Sequence, residues 1–218
     1  PDSLTVNMKE LIDGIQSVVG NNVPFVGGLS ADNMKMINEL NCQISNDVYK
    51  DSVAYLLIGG NIQKEIHVTH GCIPLGSEKI VTRSIKNRIY TIDGKPSFDV
   101  FKEYTNDVIT DLTFDLVVHM CYGEKLNNEL AEMYDNYIVR TPLTHDKKDG
   151  SVTIPWEIKE GEKIVLMRRD PDTIINNILQ KKELFNVNKK GISAILHFNC
   201  AGRGKVLFGR KVCDEYNA

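Results

Sequence analysis

The sequence predicts an α+β chain, a layered α/β sandwich built on a mostly antiparallel or mixed sheet. Three observations predict it. Candidate strands cluster, above all across residues 42–92. Helical periodicity arrives singly, at the start, near Phe98 and after Pro171, instead of between successive strands. Hydrophobic residues make up 42% of the 218 and charged residues 25%, a balance that suits a packed core and excludes disorder, collagen and coiled coil.

The elements follow in order. Leu4, Met8, Leu11, Ile12, Ile15 and Val19 recur at helical spacing behind a Ser3 cap, and Gly20-Asn21-Asn22 ends that helix. Residues 23–26, broken by Pro24, read as a short strand, with Gly27-Gly28-Leu29-Ser30 as a flexible turn. Residues 53–58 are apolar on both faces and predict a central strand, and residues 65–69 a further one. Residues 80–85 and 88–92 flank Lys86-Asn87, a hairpin tip. Phe98, Phe101 and Tyr104 give a short helix after Pro96. Beyond a boundary near residues 105–112, strands are expected at 116–120, 137–140 and 163–167. Asp170-Pro171 opens a helix through Ile174, Ile175, Ile178 and Leu179. Residues 192–198 read as a buried strand, followed by a glycine-rich turn and a helix over 205–216.

Composition excludes several functions. With 26 basic and 29 acidic residues the net charge is −3, so no nucleic-acid partner is expected. The longest uncharged apolar stretches, residues 52–63 and 191–202, are too short to span a bilayer, and no membrane partner is expected. The five cysteines, Cys42, Cys72, Cys121, Cys200 and Cys213, are odd in number and form no C-x-x-C pair. They predict free thiols, no structural zinc and a reducing, cytoplasmic setting. Neither of the common glycine-rich nucleotide loops is present: Gly204-Lys205 lacks its partner glycine at Asn199, and Gly202-Arg203-Gly204 runs into Leu207.

Chemistry concentrates in three places. Cys200-Ala201-Gly202-Arg203-Gly204 sits between an apolar run and an expected helix, where a thiol and a guanidinium favour an anion. The alternative is a small cysteine in a tight turn. The segment from His70 and Gly71 through Cys72 and Pro74 to Gly76 is compact, and His70/Cys72 and His119/Cys121 each place two soft ligands two residues apart, on one face of a strand. Polar groups beside small buried thiols give the same pattern without a ligand. Arg140, before Thr141-Pro142, reads equally as an anion clamp or as a surface group on an apolar stem. No nucleophile has an assignable base, and the chain is not expected to be an enzyme.

Six segments, in order, resemble one family. They are Pro24-Phe25-Val26-Gly27-Gly28-Leu29-Ser30-Ala31-Asp32; His70-Gly71 through Gly76 with Val81-Thr82; and Ile92-Asp93-Gly94-Lys95-Pro96 with Phe101. Tyr137-Ile138-Val139-Arg140-Thr141-Pro142, Glu160-Gly161 with residues 165–168, and Phe198-Asn199-Cys200-Ala201-Gly202-Arg203-Gly204 complete the set. The family is the FIST sensory domain of F-box and intracellular signal transduction proteins. The resemblance implies that residues 1–110 are part of its N-terminal half and 111–218 part of its C-terminal half, in a fragment of a larger signalling protein. It implies a bacterial, cytoplasmic module that binds a small ligand, an amino acid or small carboxylate, and controls an output domain such as a histidine kinase or a cyclic-dinucleotide enzyme. Gly27, Gly28, Ser30, Asp32, His70, Arg140, Cys200 and Arg203 are the ligand contacts expected, with Arg140 and Arg203 on a carboxylate and Asp32 on an ammonium. No cofactor or metal is expected. The alternatives are a haem-binding nitric-oxide sensor with His70 as first candidate ligand, and a protein-interaction module.

Overall fold

A computed structural model describes residues 6, 8–30, 41–44, 46–50, 52–106, 108–127, 129–187 and 192–212. The chain forms two compact units, one of residues 1–65 and 193–204, the other of residues 66–192 and 205–218.

The first unit carries helix α1, Met8–Val19, with the expected amphipathic spacing. A hairpin follows, β1 (Asn41–Ile44) antiparallel to β2 (Asp47–Lys50). Residues 53–58 and 192–198 are not strands, and Tyr55, Leu56 and Leu57 are 89%, 77% and 77% exposed. Their apolar pattern predicts burial, but burial needs a paired neighbour, and among the described residues no ladder includes them. Residues 23–26 likewise form no strand.

The second unit is built on one antiparallel sheet. Its elements run β3 (Cys72–Ile85), β4 (Arg88–Ile92), β5 (Lys95–Pro96), α2 (Asp99–Tyr104), α3 (Phe114–His119), β6 (Met120–Lys125), β7 (Tyr137–Arg140), β8 (Thr144–Asp146), β9 (Ser151–Thr153), β10 (Lys163–Arg169), α4 (Pro171–Val187) and α5 (Lys205–Phe208), which continues into a 3-10 turn over Gly209–Lys211. The strand order is β7-β6-β10-β3-β4-β9-β8, with β5 beside β4. This is the mixed α+β class that the clustering of strands predicts, and the sheet is antiparallel at every pairing.

Local signals explain most elements. Lys86, at φ 54, and Asn87 close the β3–β4 hairpin. Asp170 Oδ2 accepts from Thr173 N at 3.0 Å and from Thr173 Oγ1 at 2.6 Å, and Pro171 takes the first position of α4. β3 is longer than expected and absorbs Pro74. Pro74 pairs only with Met167, because β4 joins β3 from Val81 onward, so the missing N–H faces no ladder. Residues 116–119, expected as strand, belong to helix α3: the Thr113 side chain accepts from Leu116 N at 3.2 Å and starts the turn. The strand begins only at Met120.

Alternation along β6 and β10 separates two apolar clusters. Tyr122, Ile164 and Leu166 face a core that contains Phe98, Phe101, Ile89, Ile92, Val81 and Val152. Cys121, Val165 and Met167 face the other side, with Cys72 and the flanking Tyr137 and Val139. A third cluster joins Ile174 of α4 to Val118 of α3 and to Leu207 and Phe208 of α5. Among the described residues no helix is long and apolar enough to cross a membrane.

Candidate functional site

Three strands deliver polar groups to one end of the sheet. Cys72 is the first residue of β3, Cys121 the second of β6 and Arg169 the last of β10, and register sets Cys72 opposite Arg169 and Cys121 opposite Met167. The Cys121 thiol donates to Cys72 Sγ at 3.7 Å, and both cysteines are free. Gly71 turns the chain into β3 at φ +57, which lets the backbone double back so that Cys72 N donates to His70 Nδ1 at 2.9 Å. His70 N donates to Asp135 Oδ2 at 3.1 Å, and Asn177 Nδ2 donates to the same oxygen at 3.1 Å.

Arg169 is 6% exposed and its charge is answered by dipoles. Nη1 donates to Val117 O at 2.7 Å and Val118 O at 2.6 Å, carbonyls near the end of α3, and Nη2 donates to Thr141 Oγ1 at 2.7 Å. The Cys72 thiol is drawn down to about 5, first by the hydrogen bond from Cys121 and then by His70 and the Arg169 charge, against the opposing effect of burial. Cys121 moves the other way: donating to Cys72 and buried itself, it holds its proton well above the ordinary thiol range.

On β7, Arg140 Nη2 donates to Glu124 Oε2 at 2.9 Å, and the guanidinium carbon lies 5.8 Å from the centre of the Trp156 ring. The two side chains keep 14% and 28% exposure. Arg140 Nε is buried and, among the described residues, has no hydrogen-bond partner.

A third polar cluster lines an open pocket of about 320 Å³ between Arg88, Thr144, His145, Asp146, Lys147 and Thr153. The His145 ring stacks on Phe98 at 3.8 Å, and its Nδ1 lies 3.1 Å from Asp111 Oδ1. Lys147 and His145 together hold the Asp111 carboxyl down to about 2.

The expected contacts divide between the units. Gly27 and Gly28 are exposed and Ser30 is half-buried in the first unit, and Asp32 lies outside the described residues. Cys200 is exposed in the same unit, and its carbonyl accepts from Arg203 N at 3.0 Å, so the segment is a turn. His70 and Arg140 belong to the second unit, and none of its described hydrogen bonds or ion pairs joins them. Cys72, Cys121, Arg169 and Glu124 are absent from the expected set. The recurrence of His70/Cys72 and His119/Cys121 held part of this signal, but it named the wrong partner: Cys121 meets Cys72, 49 residues away, and His119 Nε2 pairs with Asp115 at 3.4 Å. Arg140 carries its own counter-ion, which neither sequence reading foresaw.

Among the described residues no three His, Cys, Asp or Glu side chains are grouped to hold a metal ion. The geometry of His70 does not fit an axial haem ligand. Its Nδ1 accepts from Cys72 N, which puts the ring proton on Nε2 in the neutral form, the nitrogen that would have to give its lone pair to iron.

Comparison with known proteins bears on the whole chain. The FIST N domain model matches residues 1–95 and the FIST C domain model residues 97–218. The uncharacterized protein MJ1623 of Methanocaldococcus jannaschii is 23% identical over 167 residues, 73% of this chain and 32% of that protein, so the chain spans about a third of that relative's length. No solved structure matches.

Proposed function

This chain belongs to the FIST family of sensory, signal-transduction domains, and from that premise we propose that it is a cytoplasmic, non-catalytic sensor module for a small zwitterion or carboxylate, coupled to an output domain such as a histidine kinase or a cyclic-dinucleotide enzyme. The observation that carries the ligand class is the Arg140–Glu124 pair beside Trp156, still part-exposed on the sheet. Glu124 takes one of the guanidinium's donors, and the planar fork has others to offer a carboxylate. In this reading Glu124 receives an ammonium, the role first expected of Asp32, and Trp156 supplies an apolar wall. Signalling then follows from differential affinity: a ligand that prefers one arrangement of the module biases whatever is attached to it.

Calorimetric titration with a panel of amino acids and small carboxylates tests this reading. A ligand of the expected class binds the unaltered protein, loses about tenfold or more in affinity with Arg140→Gln, the scale of a lost charge-assisted hydrogen bond, and keeps its affinity with Arg203→Ala if Arg140 is the clamp. Equal loss with Arg203→Ala moves the clamp to the Cys200–Arg203 turn. Unchanged affinity in both variants refutes an arginine clamp.

A second reading, a protein-interaction module, is favoured by the exposure of Tyr55, Leu56, Leu57 and Ile58. Light scattering that shows concentration-dependent association, abolished by Leu56→Glu with Leu57→Glu, supports it. A strictly monomeric chain speaks against self-association through that surface.

A further inference from the structure

The Cys72–Cys121 contact has no part in the zwitterion reading, and its arrangement is specific. Two sulfurs lie 3.7 Å apart, within reach of a Cys121 S–H donated to Cys72. As thiols, Cys72 can donate to the His70 carbonyl at 3.5 Å and Cys121 to the Met167 carbonyl at 3.8 Å. Cys121 is fully buried, whereas Cys72 opens its strand and keeps 7% exposure. The buried cation of Arg169 stands opposite Cys72 in the ladder. We propose that Cys72 is an oxidative modification site, whose sulfur attacks a hydroperoxide and becomes a sulfenic acid held against Cys121.

The chemistry balances with hydrogen peroxide as oxidant. The Cys72 thiolate attacks one peroxide oxygen, an S–O bond forms and the O–O bond breaks. Sulfur is oxidised by two electrons, and the departing hydroxide takes a proton from solvent. Cys121 serves as a positioning residue, because its S–H stabilises the attacking thiolate without entering the reaction. Strand order argues against a disulfide as the product. β10 lies between the two cysteine strands, so closing the 3.7 Å gap to bonding distance would have to draw those strands together.

The test uses the whole chain, freshly reduced, exposed to about one equivalent of hydrogen peroxide with dimedone as the sulfenic-acid trap, followed by peptide mass mapping. The expected adduct is on Cys72, formed ahead of the exposed Cys200. Its rate at pH 6 stays within about twofold of that at pH 8, where an ordinary thiol loses on the order of a hundredfold. Cys121→Ala slows the Cys72 adduct about tenfold or more at pH 6, and Cys121→Ser, which keeps a donor, restores most of the rate; Cys200 labelling is unchanged in both. Should Cys121→Ala not fold, the pH profile of the unaltered protein decides alone. Labelling of Cys200 with Cys72 left unmodified, or a rate at Cys72 that falls a hundredfold between pH 8 and pH 6, overturns the proposal. So does a Cys72–Cys121 disulfide as the sole product.

Discussion

Gly71 lies directly against Ile174 at the start of α4: a Cβ built on Gly71 collides with Ile174 Cγ1 and comes within 2.7 Å of Ile174 Cα. Two constraints meet there. The φ of +57 excludes most side chains, and the backbone of the helix leaves no room for one. The Gly71 carbonyl also accepts from Asp170 N at 3.0 Å, which fastens the entry of α4 to the entry of β3.

Gly71→Ala therefore costs about 3 kcal/mol or more, from left-handed backbone strain and overpacking together. Gly94→Ala is the matched control, with φ +76 but nothing within 4 Å of the added carbon, and costs about 1–2 kcal/mol. Urea unfolding midpoints measure both, and equal losses at the two sites contradict the packing argument.

Arg169 is expected to be structural. Arg169→Met removes the donors on Val117 O, Val118 O and Thr141 Oγ1 and costs about 3 kcal/mol, since buried carbonyls lose charge-assisted partners. Thermal unfolding with loss of less than about 1 kcal/mol shows that solvent replaces the guanidinium easily.

Ser97 is buried, its Oγ donates to Ile89 O at 2.7 Å, and its own carbonyl accepts from Tyr122 Oη at 3.2 Å. Ser97→Ala leaves Ile89 O short of a bond and costs about 1–2 kcal/mol. Ser97→Val adds volume to a fully packed position and costs more than the alanine variant. Chemical denaturation that ranks valine as the milder change argues for slack in the core around Phe98.

Stability depends on pH through the thiol pair. Folded Cys72 ionises near 5, against an ordinary value of 9.0, so between pH 5 and pH 9 the unfolded chain binds a proton that the folded chain does not. This contribution is complete above pH 9 and is lost as pH falls through 5. Cys121 acts oppositely above pH 9, where its folded thiol keeps a proton that the unfolded chain releases, and stability declines as pH rises further. In reducing buffer, the stability difference between the unaltered protein and Cys72→Ala grows from pH 5 to pH 8. A difference independent of pH across that window contradicts the ionised Cys72.

Sequence by itself determined the α+β class, helix α1, the β3–β4 hairpin and helix α4, because each is written in neighbouring residues: apolar spacing, a two-residue tip, an Asp-Pro start with Thr173 in place. The six ordered segments likewise identify the family without a structure. Tertiary structure decided what depends on distant partners. Residues 116–119 have the composition of a strand, yet Thr113 starts a helix there and Arg169, about 50 residues on, caps its carbonyls. Residues 53–58 and 192–198 have the composition of buried strands, but apolar character states only that burial is favourable, and a ladder requires a neighbour in register. The site divides in the same way. His70 and Arg140 stand out locally as polar groups beside apolar runs. Their partners, Asp135 on the His70 backbone N–H, Glu124 on the Arg140 guanidinium and the Cys121 thiol on Cys72, come from strands and turns 16 to 65 residues away, which only the tertiary fold brings together.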